Sequence, residues 1–202
     1  MSFDKIDLWI KMDKIHFLHN IFKTENFSSE ELELIVAQFE VVDFNKNEYL
    51  IKKGKVASYY YFLESGFLRS YTIDTDGNDI TTKFFSVNDI VIDWHSYFLK
   101  KPCKESIKAM TKGKCWRISF SNFMKLFNIE AFREVGRTRL ITNYFELKNH
   151  SISVIADQAK DRYLSLLKEK PLIIQNVPLK HIATYLGITD TSLSRIRKEI
   201  TL

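Results

Sequence analysis

From Val41 to Ile118 the chain is cut into short apolar stretches by turn-forming residues at intervals of about ten: NKNE at 45, KKGK at 52, ESG at 64, TDGN at 75, VND at 87 and TKGK at 111. No other feature restricts the fold as much. Helices need longer uninterrupted periods, and parallel strands need crossover connections longer than these gaps allow. The stretches are rich in Val, Ile, Tyr and Phe, so they predict antiparallel strands closed into a barrel or sandwich. YYYFLESGFLRSYTID reads as a hairpin turning at Gly66, which supplies the positive φ of a tight turn, and Asp76-Gly77 marks a second one.

Helical periods flank this region. In FSSEELELIVAQF, Ser28 and Glu31 form a capping box, and Leu32, Ile35, Val36 and Phe39 follow at helical spacing. From Ser121 the period is helical again. Phe132, Gly136, Leu140, Tyr144 and Leu147 share one face, and Val135, Ile141 and Phe145 widen it or add a second. A helix apolar on two sides must be covered on two sides. One side can lie on the β domain and the other on the same helix of a second chain; the alternative is that both are buried within one chain.

The tail, HIATYLGITDTSLSRIRKEI, holds two short helical patterns meeting at Gly187. Pro178 begins the first, whose Ile182, Ala183 and Leu186 point inward, and Ile188 closes the corner. Thr189 caps the second, with Leu193, Ile196 and Ile200 on its buried stripe. A helix-turn-helix needs a small residue on its first helix, a glycine-like turn four residues on and a branched apolar residue six after that. Ala183, Gly187 and Leu193 satisfy all three. On the other face Asp190, Thr191, Ser192, Ser194, Arg195 and Arg197, led by Thr189, can hydrogen-bond to base edges or phosphates in a major groove. Lys180 and His181 are placed to meet the phosphate backbone. The chemically bland reading is a helical hairpin with a solvated polar face.

Composition narrows the classes. The chain has 202 residues, 45% hydrophobic and 27% charged, which suits one or two globular domains. No apolar run approaches the ~20 residues that span a bilayer, and MSFDKIDLWIKMDKIHFL lacks the apolar stretch of a signal peptide, so a cytoplasmic location without membrane contact is expected. Cys103 and Cys115 have no CxxC spacing and read as buried or incidental thiols. The net charge is +5: residues 151–202 carry 8 Lys/Arg against 5 Asp/Glu, and residues 1–150 carry 22 against 20, so positive charge concentrates in the tail, as a polyanion partner would favour. His16 and His19 could share a helical face, but no third ligand lies nearby and no metal is expected. A β-roll enzyme of the cupin type would need an HxH pair, which does not occur. Neither a glycine-rich phosphate loop nor a nucleophile-base pair appears, so no enzymatic activity is expected.

The order of parts resembles the cyclic-AMP receptor and fumarate-nitrate regulator (Crp/Fnr) family of bacterial transcription factors. YLGITDTSLSRIRKEI is similar to that family's recognition segment, and EYLIKKGKVASYYYFLESGFLRSY to the first strands of its roll. The resemblance implies an α+β chain: an N-terminal helix and antiparallel β-roll, of the cyclic-nucleotide-binding jelly-roll kind, over 1–120; a long dimerisation helix over 121–150; and a winged-type helix-turn-helix over 151–202. Any wing would have to come from LIIQNVP. It implies a homodimer that binds double-stranded DNA, contacts RNA polymerase and senses a small molecule in the roll. The alternative is a dimeric sensor or partner protein that keeps the roll but no longer reads DNA.

Departures from the family pattern shape the effector expectation. Family members that bind cyclic nucleotides use a Gly-Glu pair shortly after a Gly-Asp turn, and an Arg-Ser or Arg-Thr pair about ten residues further on. Here the turn is Asn88-Asp89, the pair is Ile92 and Asp93, and the arginine region is KPCKES, Lys101 to Ser106. Asp93, Lys104 and Ser106 are then the candidate pocket residues. Ile92 fills space that glycine leaves for a phosphate, and Lys104 lacks the planar fork of arginine, so cyclic AMP is not the expected ligand. Two separated cysteines cannot hold an iron-sulfur cluster, and His95 is the lone haem-ligand candidate in the roll, so no cofactor is identified. Where family members place an acidic residue to accept from cytosine, this chain has Thr191, with Asp190 one residue earlier, while Arg195 matches the arginine that contacts guanine.

Overall fold

In a computed structural model, residues 16–17, 21 and 27–201 are described. Helix α1 (Ser29–Ala37) opens on the expected capping box: Ser28 Oγ accepts from the Glu31 N–H at 3.2 Å and Glu31 returns the bond to the Ser28 N–H at 2.9 Å. Eight strands follow: β1 (Glu40–Phe44), β2 (Tyr49–Ile51), β3 (Tyr59–Ser65), β4 (Leu68–Ile73), β5 (Asp79–Phe85), β6 (Ile90–Val91), β7 (Ser106–Ala109) and β8 (Gly113–Ser119). They form two antiparallel four-stranded sheets, ordered β1-β8-β3-β6 and β2-β7-β4-β5. This is the expected antiparallel roll.

The hairpin expected at Gly66 is corrected. β3 pairs with β6 and β8, whereas β4 pairs with β5 and β7, so the chain changes sheet at Gly66 instead of folding back. Gly66 has φ +91°, and a Cβ there would lie 2.9 Å from the Lys112 carbonyl oxygen, so the corner needs glycine both for its backbone angle and for closeness. The Asp76-Gly77 turn does join a hairpin, β4 to β5.

The apolar core of the roll holds Trp116, Phe62, Leu63, Leu68, Tyr97 and Ile118, all almost fully buried, and the ring of Phe39, after α1, lies 5.4 Å from that of Phe62 between centres. Both free cysteines, Cys103 and Cys115, are buried, and burial pushes the Cys115 thiol up to about 12. Short helices α2 (Trp94–Leu99) and α3 (Phe120–Leu126) complete the roll.

The long helix α4 runs Glu130–Ala156 and buries one side chain, Phe132. It thus starts later and ends later than the 121–150 segment. Helices α5 (Ala159–Glu169), α6 (Pro171–Asn176), α7 (Leu179–Tyr185) and α8 (Asp190–Thr201) follow. LIIQNVP, the segment suggested for a wing, is helical through Asn176 as part of α6, with Pro171 at the first turn where the missing N–H costs nothing. The tail has its own apolar centre in Tyr163, Leu166, Ile173, Val177, Ile182, Ala183, Leu186 and Leu193, and this is continuous with Phe84 and Met110 of the roll. Among the described residues no helix is long and apolar enough to cross a membrane, and no group of three His, Cys, Asp or Glu is placed to hold a metal. His16 is exposed; His19 lies outside the described residues.

Candidate nucleic-acid interface and effector cavity

The helix-turn-helix is built as its spacing dictates. α7 ends in a left-handed Gly187, φ +68°, with the Ile188 N–H donating to the Ala183 carbonyl at 3.0 Å and the Gly187 N–H to that of Thr184 at 3.1 Å, the paired bonds of a Schellman motif. Thr189 Oγ1 accepts from the Ser192 N–H at 3.2 Å and caps α8. Ala183 and Leu193 are fully buried where the helices cross, with Ile188, Ile196 and Ile200 half-buried around them. That leaves Thr189, Asp190, Thr191, Ser194, Arg195 and Arg197 exposed on one face; Ser192 is half-buried and bonded to Thr189, so it serves the cap. The far end of α8 is tied to α5 by Glu199 and Lys160, 2.6 Å apart.

Lys180 and His181 separate. Lys180 is exposed, whereas His181 is half-buried against the roll, beside Asp79 and Arg69 of the β4–β5 hairpin. Burial and the Arg69 guanidinium lower its pKa to about 4, with Asp79 opposing. Arg69 is itself buried, paired with Asp79 and bonded to Thr81 at 3.1 Å. The rest of α7 continues this seam. Thr184 Oγ1 accepts from the Thr81 N–H at 3.2 Å, Tyr185 meets Phe84 at 5.0 Å between ring centres, and the other side of Tyr185 stacks on His150 of α4 at 4.2 Å. The tail is thus docked on β5 with its polar helix face pointing away.

A cavity of about 480 Å³ lies in the roll, lined by Ile51, Phe85, Ile90, Ile92, Trp94 and Ile107 among apolar residues. Asp93 and Lys104 line it too; Ser106 does not, its hydroxyl accepting from the Lys53 N–H at 3.0 Å. Asp93 caps α2 by accepting from the Ser96 N–H at 2.9 Å, and Asn88 holds the left-handed turn, φ +72°, that the sequence suggested. Ile92 is buried. His95 is exposed at the mouth. Four polar lining residues escaped the sequence reading: Ser70, Thr82, Lys83 and Glu105. The half-buried Lys83 ammonium donates to Asn143 Oδ1 of α4 at 2.7 Å and lies 4.0 Å from Glu146, linking cavity to long helix; partial burial lowers its pKa against the pull of Glu146. Simple alternation along a strand would not have marked them, because Thr82 and Lys83 are adjacent across a register shift and Glu105 precedes β7.

Residues 41–130 match the cyclic nucleotide-binding domain family. The fold extends the likeness over most of the chain. FixK2 from Bradyrhizobium japonicum is similar at 19% identity over 81% of this chain and 84% of its own, with a TM-score of 0.67. The c-di-GMP responsive global regulator CLP of Xanthomonas campestris is similar at 15% identity over 86% of this chain and 92% of its own, TM-score 0.66. The regulatory subunit of a cAMP-independent protein kinase A from Trypanosoma cruzi, bound to guanosine, shares the roll: 18% identity over 64% of this chain and 46% of that one, TM-score 0.53. No curated protein sequence matches significantly. The roll is a cyclic nucleotide-binding-like domain. Roll, long helix and terminal helices together share the fold of FixK2 and CLP.

Proposed function

We propose that the chain is a homodimeric, sequence-specific DNA-binding transcription regulator of the Crp/Fnr type. The observation that carries this reading is the exposed polar face of α8, led by a capped N-terminus and held away from the roll by the docked α7. Arg195 reads a guanine, while Lys180 contacts phosphate and supplies register and affinity. His181 stabilises the seam with the roll and in this arrangement leaves phosphate contact to Lys180.

Dimerisation is supported by α4. Leu140, Ile141, Tyr144, Phe145, Leu147, Ile152, Val154 and Ile155 are exposed on it, an apolar surface of a kind that soluble chains cover. A second copy's α4 covers it and sets two α8 helices for half-sites one helical turn apart. The regulator works in the cytoplasm beside RNA polymerase and carries no catalytic machinery. Its effector is a small molecule in the roll cavity, and Ile92 together with the missing arginine disfavours cyclic AMP.

The test is the salt dependence of duplex binding, read by fluorescence anisotropy. Phosphate contacts by two tails give an affinity that falls steeply and linearly on a log-log plot against salt. Absence of any salt-dependent duplex affinity, with and without cell extract to supply an effector, would leave the partner-protein reading in its place.

A further inference from the structure

Strand β5 contains an irregularity that equips the cavity. Ser70 faces Lys83 and Tyr71 faces Thr81, so Thr82 is an extra residue on β5. The bulge breaks the alternation once. Thr81 and Phe84 meet the tail helices, while Thr82 and Lys83 both line the cavity.

Ser70 and Thr82 then donate their hydroxyl protons to the same oxygen of Glu105, Oε2, the Thr82 bond being 3.0 Å. Among the described residues the other oxygen, Oε1, accepts nothing, and Glu105 makes no ion pair. The remaining charges around the cavity are differently placed. Lys83 is taken by Asn143 and Glu146, Asp93 by the α2 cap, and Lys104 and His95 are exposed at the rim. The cavity therefore presents a half-buried carboxylate with one oxygen unspent, among apolar lining side chains that include Trp94 and Phe85.

Such a group selects its ligand by charge. A carboxylate is an acceptor only, so an O–H or N–H donor gains a charge-assisted bond, while a phosphate brought against it meets like charge away from bulk water. The volume, about 480 Å³, lies in the range of small-molecule sites. We propose that the roll cavity binds an uncharged ligand of the nucleoside class, its flat ring on the apolar wall and its sugar hydroxyls donating to Glu105, and rejects the corresponding cyclic phosphate. This rests on the reading of the roll as the effector domain.

The experiment is calorimetric titration of the full chain with adenosine, guanosine, cyclic AMP and cyclic GMP, repeated on Glu105→Gln and Thr82→Val. At least one nucleoside binds the unaltered chain about tenfold or more tighter than its cyclic phosphate, the size of a charge-assisted bond exchanged for a repulsion. Glu105→Gln keeps the shape, removes the charge and narrows that ratio toward one; Thr82→Val weakens nucleoside binding without inverting the preference. Cyclic nucleotide binding as tight as nucleoside binding, no nucleoside binding at all, or an unchanged ratio in Glu105→Gln would each overturn the proposal. The unaltered chain alone decides the first two should a variant fail to fold. Duplex binding is measured separately. Specific DNA binding without nucleoside affinity sinks this proposal only, and nucleoside affinity without DNA binding sinks the regulator reading only.

Discussion

Replacing Gly187 by alanine isolates the backbone cost of the turn that orients α8. At φ +68° the residue is left-handed, which costs an L-residue with a Cβ about 1–2 kcal/mol. Space is not the obstacle, because the nearest atom outside the immediate chain, Val154 Cγ1, would lie 3.8 Å from the new Cβ. Alanine also restricts the unfolded chain, which returns about 0.4–1 kcal/mol. The net expected loss is about 1 kcal/mol, and Gly187→Asn, whose side chain tolerates this conformation, loses less. Gly66→Ala provides the contrast: its backbone is also left-handed, but the Cβ would meet a carbonyl oxygen at 2.9 Å, so its loss exceeds that of Gly187→Ala. Urea unfolding followed by circular dichroism reads both, and with a slope of about 1–3 kcal/mol per molar the Gly187→Ala midpoint falls by roughly 0.3–1 M. Duplex affinity below the transition stays close to that of the unaltered chain. A Gly187→Ala loss equal to that of Gly66→Ala, or no loss, would refute the separation of backbone strain from crowding.

Arg195→Ala costs about 1–3 kcal/mol on the preferred duplex and relaxes one base position, whereas Lys180→Ala weakens all duplexes alike and flattens the salt slope; competition binding against single-base variants distinguishes them. Tyr144→Glu, placing charge on the exposed α4 face, yields monomers in sedimentation equilibrium and lowers duplex affinity, and a dimer that survives it would count against the α4 interface. His181 titrates near 6.5 unfolded and near 4 folded, so between these values the unfolded chain binds more protons and stability falls as pH drops from about 6.5 to about 4. His150, lowered by burial and by Arg162 and Lys170, adds to the same trend, so the diagnostic is that His181→Gln lessens the slope in thermal unfolding without abolishing it.

The parts legible in the sequence were those fixed by neighbours in the chain. Ser28 with Glu31, Thr189, Gly187 and Asn88 each occupy the conformation that their own chemistry favours, and each is found there. Gly66 shows where local chemistry stops: a left-handed glycine serves a hairpin and a sheet-changing corner equally, and only the pairing of β3 with β8 decides between them. LIIQNVP illustrates the reverse, since its apolar residues say little until Pro171 opens a helix whose Ile173 is needed by the tail core. Among the candidate site residues, the exposure of Arg195 and its neighbours was readable because α8 carries them in one run. Glu105 was not, because its role depends on Ser70 and on a bulge at Thr82, which no single stretch of sequence encodes.

Sequence-specific recognition by α8 is tested most directly by selecting bound duplexes from a random library with the purified full chain, at two salt concentrations and with and without cell extract. The account predicts enrichment of a palindrome whose half-sites lie about one helical turn apart and contain a guanine that Arg195→Ala no longer requires. Recovery of no preferred sequence under any of these conditions would contradict it.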